Sequence, residues 1–66
     1  MLYEVGWDET EILGSGSIYH TYWKGTNESE AFKKFNTYGM TFLKRTTRID
    51  GKLCTEFYNS FTKRWT

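Results

Sequence analysis

The chain opens with an alternation. Tyr3, Val5 and Trp7 interleave with Leu2, Glu4 and Gly6, the period of two expected of a strand with one covered face. A second run, Ile18 to Trp23, is rich in β-branched and aromatic residues, and the segment Gly14-Ser15-Gly16-Ser17 before it reads as a flexible turn. Together they predict a first hairpin. After Gly25 the period changes. Asn27 stands as an N-cap with Glu30 three places on, the spacing of a capping box, and Lys33-Lys34 follow the acids in the sense the helix dipole favours. Ala31, Phe32, Phe35 and Tyr38 form one apolar stripe at helical spacing, and Gly39 sits where a left-handed C-cap is expected, which predicts a helix over 28–38. Beyond it, Met40 to Ile49 and Lys52 to Phe61 flank Asp50-Gly51, the strongest hairpin signal in the chain. The expected order is β-β-α-β-β: an α+β domain spanning 1–66, with one helix packed on one face of a small antiparallel β-sheet.

A single helix covers one side of such a sheet, so the other side meets water or a partner. What that side displays depends on the second hairpin's register. A two-residue turn pairs Ile49 with Lys52 and leaves both faces mixed. A three-residue loop with Gly51 left-handed and a bulge at Lys52 sets Leu43 opposite Phe57 and Thr47 opposite Leu53, which gathers apolar residues inward. The second register is preferred on that ground. It puts Phe42 beside Tyr58, Lys44 beside Glu56 and Arg48 beside Lys52 on the open face. The candidate partner-binding residues are therefore Phe42, Lys44, Arg48, Lys52 and Tyr58.

Composition narrows the class. The chain has 66 residues, one cysteine, one histidine and no proline. A domain this short buries only about 60% of its unfolded surface and usually needs supplementing. Cys54 alone closes no internal disulfide, and Cys54 with His20 falls short of a four-ligand zinc site. Aromatic residues, 20% of the chain, are the expected substitute. Trp65, after Lys63-Arg64, is read as folding back over the core rather than as an exposed anchor. No apolar run is long enough for a membrane span, and Met1-Leu2-Tyr3-Glu4 lacks the basic start of a signal peptide, so the expected location is the cytoplasm.

The net charge is only +1, yet it is segregated. Residues 1–30 hold six acids against Lys24, whereas residues 31–66 hold eight bases against Asp50 and Glu56. Such a split either marks a partner surface or is neutralised where the halves meet in the fold.

Catalytic patterns are missing. Cys54 on a strand reads as a small packing residue and His20 as a strand residue with a satisfied ring nitrogen. Asp8, Glu9 and Glu11 read as a solvated edge in a turn-like stretch. Gly14-x-Gly16 has neither a third glycine nor a following Gly-Lys-Ser/Thr, so it is a turn rather than a phosphate cradle. No cofactor or metal is expected, and the chain is read as a non-enzyme. An open face of aromatics and cations suits a protein interface, where Tyr, Phe and Arg are enriched, and also a single-stranded nucleic acid, whose bases stack on rings while phosphates follow the cations. The near-neutral total favours protein over nucleic acid. A homodimer joined through open faces or sheet edges is the third reading.

The length, the strand hairpin, the short helix carrying Ser29-Glu30-Ala31-Phe32 and the second strand pair together resemble small phage-encoded proteins that bind and inhibit host enzymes, among them inhibitors of RNA polymerase and of uracil-DNA glycosylase. The resemblance lies in architecture and size, and carries no site residues across. It implies a non-catalytic inhibitor that occludes a site on a larger host protein of transcription, DNA metabolism or defence. Those inhibitors present acidic contact strips, whereas the C-terminal half here is basic. Only Glu4, Asp8, Glu9 and Glu11 offer a comparable acidic strip.

Overall fold

The computed structural model describes residues 1–10 and 16–66. Glu11 and the first half of the expected Gly14–Ser17 turn lie outside these residues. The elements run β1 (Leu2–Thr10), β2 (Ser17–Gly25), α1 (Glu28–Phe35), β3 (Phe42–Ile49), β4 (Lys52–Asn59) and β5 (Arg64–Trp65). The five strands form one antiparallel sheet in the order β2-β1-β3-β4-β5. The α+β class and the single helix agree with the expectation. The order does not agree in full, because a fifth strand follows the second hairpin.

An interior strand of the sheet is β1, the strand whose alternation is clearest in sequence. It pairs with β2 on one side and with β3 on the other. The helix carries the chain from β2 across β1 to β3 and packs against all three strands. Tyr3 and Val5 point toward it, joined by Ala31 from the helix and Leu43 from β3. Val5, Ala31 and Leu43 are fully excluded from solvent. Trp23, Phe32, Phe35, Met40, Tyr58 and Trp65 close around this small centre as half-buried walls.

The helix begins as expected. Asn27 Oδ1 accepts the Glu30 N–H at 3.0 Å, satisfying one of the free amides of the first turn. It ends earlier than expected, at Phe35 rather than Tyr38. Asn36 leaves helical geometry at ψ 1°, and its amide still reaches back to the Phe32 carbonyl. The reason is tertiary. Thr41 donates its N–H to the Gly6 carbonyl at 2.8 Å, so the chain must already have turned to enter β3 beside β1. Gly39, at φ 91°, serves this turn, and Tyr38 is left wholly exposed instead of completing the apolar stripe.

The second hairpin adopts the two-residue turn rather than the expected three-residue loop. Ile49 pairs with Lys52, Arg48 with Leu53, Thr47 with Cys54 and Lys44 with Phe57. The turn is the two residues Asp50 and Gly51, with φ of 50° and 79°, the sign pattern of a type I′ turn. Aspartate tolerates the left-handed region better than most residues, so no bulge at Lys52 is needed. Gathering apolar side chains inward had favoured the longer loop. Inward gathering has no hold here, because β1 pairs with β3 only as far as Thr46 and the hairpin's outer half projects past the sheet. With neither face covered there, alternation of burial has nothing to enforce it. Ile49, at 55% exposure, and Leu53, at 69%, show the result.

After β4, Asn59 Oδ1 accepts the amides of Phe61 and Thr62, an Asx-type turn that reverses the chain into β5. Trp65 then lies beside Tyr58, with rings 5.4 Å apart, and within 6.1 Å of both Tyr3 and Phe32. The Arg45 guanidinium covers its ring at 4.3 Å while donating to Glu56 at 2.9 Å. Trp65 is thus the lid on the core that the sequence suggested.

Candidate functional site

The face of the sheet opposite the helix is the candidate site. Its residues follow from the register, because directly paired residues in an antiparallel ladder project to the same side. Glu4 lies opposite Lys44, Gly6 opposite Phe42, Lys44 opposite Phe57, Thr46 opposite Thr55, and Arg48 opposite Leu53. All of these belong to the face away from Tyr3, Val5 and Leu43. From β2, Tyr19 joins them.

Three rings form an arc at one end of this face. Tyr19 meets Phe42 edge-on at 5.6 Å, and Phe42 meets Phe57 at 6.4 Å. Phe42 is only 7% exposed, whereas Tyr19 is 62% and Phe57 44% exposed. Gly6 makes the arc possible. A Cβ there would stand 1.8 Å from the His20 carbonyl oxygen and 2.9 Å from the Phe42 ring, so only hydrogen fits under the ring. The β1–β2 register shifts between Val5 and Gly6, leaving Tyr22 as the extra residue of a bulge.

Toward the hairpin the face turns polar. Lys44 Nζ lies 2.9 Å from Glu4 Oε2, and both side chains are mostly covered. This pair joins the acidic half of the chain to the basic half, so part of the charge split is neutralised inside the fold. Beyond it the Thr46 and Thr55 hydroxyls stand 3.4 Å apart, and Arg48 and Leu53 are exposed.

The five residues singled out from sequence do not share a surface. Phe42, Lys44 and Arg48 lie on the open face, but Phe42 is buried beneath Tyr19 and Phe57 rather than displayed. Tyr58 points to the helix side, edge-on to Phe32 at 4.9 Å, and Lys52 lies on that same side. The expected pairs Phe42–Tyr58, Lys44–Glu56 and Arg48–Lys52 are all absent. In their place Glu56 holds Arg45, and Lys44 holds Glu4. The two-residue turn is the cause, since a one-residue slip moves every side chain of β4 to the other face. Tyr19 and Phe57 take the places assigned to Phe42 and Tyr58. Phe57 was within reach of the sequence reading through the shorter Asp50-Gly51 turn. Tyr19 carried no signal, because its proximity to Phe42 depends on β1 lying between β2 and β3.

The groups considered for chemistry stay apart. His20 is on β2 and Cys54 on β4, with two strands between them, roughly 14 Å at the usual strand spacing. Cys54 is exposed on the projecting hairpin rather than packed as expected. The His20 ring stacks on Trp7 at 5.0 Å, with its Nε2 3.6 Å from a Glu9 oxygen. That separation is too long for a hydrogen bond, so among the described residues this nitrogen is unsatisfied, contrary to expectation. Asp8 and Glu9 belong to β1 rather than to a turn, and the Asp8 carboxylate accepts the Thr41 hydroxyl. The described residues bring together no group of three or more His, Cys, Asp or Glu side chains able to hold a metal ion. No helix among them is long and apolar enough to cross a membrane. No protein family, curated protein or solved structure gives a significant match to the chain.

Proposed function

We propose that this chain is a non-catalytic binding module that docks onto a larger protein through the open face of its sheet. The observation that carries this reading is the pair of partly exposed rings, Tyr19 and Phe57, standing over Phe42 on a face that the helix does not cover. Exposed aromatics are enriched at the centre of protein interfaces, and Arg48, farther along the same face, adds an exposed cation toward the rim. In keeping with the resemblance to small phage inhibitors, the module acts by occluding a site on a host protein of transcription, DNA metabolism or defence. Tyr19→Ser combined with Arg48→Glu is expected to abolish capture of that protein, while Tyr38→Ser, at a residue exposed away from this face, leaves capture intact. Equal capture by all three proteins would count against the open face.

A second reading, single-stranded nucleic-acid binding, draws support from the same exposed rings. It is the weaker one, because Lys44 is tied to Glu4 and Lys52 lies on the other face, which leaves few cations for phosphates. Fluorescence anisotropy with a labelled oligonucleotide at two salt concentrations separates the two. Tight binding that collapses with salt would transfer the function to nucleic acid.

A further inference from the structure

We propose that the chain forms a homodimer by antiparallel pairing of two β4 strands along their outer edges, in the register that sets Cys54 opposite Cys54 of the second copy. The inference uses the rim of the sheet and shares only the Phe57 ring with the open-face docking reading. Among the described residues, the outer side of β4 is paired with β5 only at Tyr58 and Asn59. The stretch from Lys52 to Glu56 is a bare edge, and a bare edge is a template for another strand. The opposite rim, β2, is kinked by the bulge at Tyr22, a feature that blunts pairing.

The register follows from which backbone groups are free. The two-residue turn makes Ile49 and Lys52 a hydrogen-bonded pair, and the ladder alternates from there. Lys52, Cys54 and Glu56 therefore direct their N–H and C=O toward β3, while Leu53, Thr55 and Phe57 direct theirs outward. The Thr66 N–H donates to the Phe57 carbonyl at 2.9 Å, which agrees with this parity and occupies that acceptor. Both outward groups remain open only at Leu53 and Thr55. A two-fold axis at Cys54 pairs Leu53 of each copy with Thr55 of the other, and the resulting bonds use those open groups and no others. Centring the pairing on Thr55 instead would need the Phe57 carbonyl, which is taken.

The side chains suit the same register. Lys52 falls opposite Glu56 of the second copy, twice over, on the helix-side face. That arrangement matches the one cation of the bare edge with its one anion, whose Oε1 is held by Arg45 and whose Oε2 is left for the second copy. On the open face, Leu53 lies diagonal to Phe57 of the second copy, covering two residues that are 69% and 44% exposed in the monomer. Cys54 against its counterpart is a non-hydrogen-bonded pair, whose Cα separation of about 4.5 Å is within disulfide range.

Sedimentation velocity over a concentration series tests the association. The expected weight-average mass rises from the 7.9 kDa of the monomer toward twice that value. Thr55→Pro removes an outward N–H without touching a β3–β4 bond, so it is expected to stay monomeric with an unchanged far-ultraviolet circular dichroism spectrum. Diamide, which takes up the two thiol hydrogens as it is reduced to the hydrazine, is expected to link Cys54 to Cys54 and to do so much less in the Thr55→Pro protein. Thr55→Cys in a Cys54→Ser background is expected to give no link, because position 55 faces Leu53. A mass that stays monomeric throughout, or linkage at position 55 as efficient as at 54, would overturn the proposal.

Discussion

Trp65 stands one residue from the end of the sequence, yet it touches four parts of the fold. Its ring meets Tyr3 of β1, Phe32 of the helix and Tyr58 of β4, and receives the Arg45 guanidinium of β3. Replacing a fully buried Trp by Ala costs about 3–5 kcal/mol. Trp65 is half-buried, so the transfer part is about half of that, and losing the ring pairs and the cation contact adds about 1 kcal/mol. The expected loss for Trp65→Ala is therefore about 2–4 kcal/mol. Against the roughly 3–10 kcal/mol total expected for a domain of 66 residues, that is a large share. At about 4–8 °C per kcal/mol for a domain this small, the melting temperature falls by roughly 8–32 °C. Urea unfolding followed by far-ultraviolet circular dichroism is the suitable assay, since tryptophan fluorescence changes with the substitution itself. Trp65→Phe should recover part of the loss. Phe61→Ala, at a ring 96% exposed only four residues earlier, should stay within about 0.5 kcal/mol of the parent. A Trp65→Ala loss below about 1 kcal/mol would refute the reasoning, because a seated lid of this size cannot be removed so cheaply.

Three further outcomes are expected. Gly6→Ala should destabilise by about 1–3 kcal/mol or prevent folding, because its Cβ would overlap the His20 carbonyl; a parental urea midpoint would disprove the close approach. The Tyr3 phenol is raised above its ordinary 10.0 by burial first and by its hydrogen bond to Glu28 second. Below the unfolded value both states keep the proton, so its contribution to stability is fully present there and is lost as pH rises toward the higher folded value. Denaturation midpoints should thus fall above about pH 10, and Tyr3→Phe should flatten that fall; identical alkaline slopes would remove the assignment. Asn27→Ala should cost about 1 kcal/mol by freeing the Glu30 amide, measurable as a shift in urea midpoint at constant m.

Function-bearing features differed sharply in how well the sequence announced them. Cations near aromatics on a strand suggested a binding face, and three of the five named residues do lie on the uncovered side. Lys44 is nonetheless committed to Glu4, Phe42 is covered, and the exposed rings belong to Tyr19 and Phe57. Tyr19 is separated from Phe42 by more than twenty residues of sequence, and only the crossover of α1 over β1 brings the two together. The charge split likewise had two readings in sequence, and the strand pairing of Glu4 with Lys44 shows that part of it is internal.

By itself the sequence determined what local chemistry can determine. Asn27 capped the helix because an amide oxygen three residues from a free N–H needs no help from elsewhere. Asp50-Gly51 turned the chain because few other pairs accept positive φ twice in succession. Alternation around Tyr3 and Val5 marked a strand with one covered face, because only the helix side of β1 is packed into the core. The tertiary structure decided between the two turn lengths open to Asp50-Gly51, and with them the face given to each residue of β4; it alone decided the end of the helix at Phe35 and the existence of β5. Each of these is a competition between distant contacts: the Gly6 carbonyl drawing in Thr41, β1 stopping at Thr46, and Trp65 finding Tyr58. Such contacts form only when the sheet is assembled, so no short window of the chain contains their outcome.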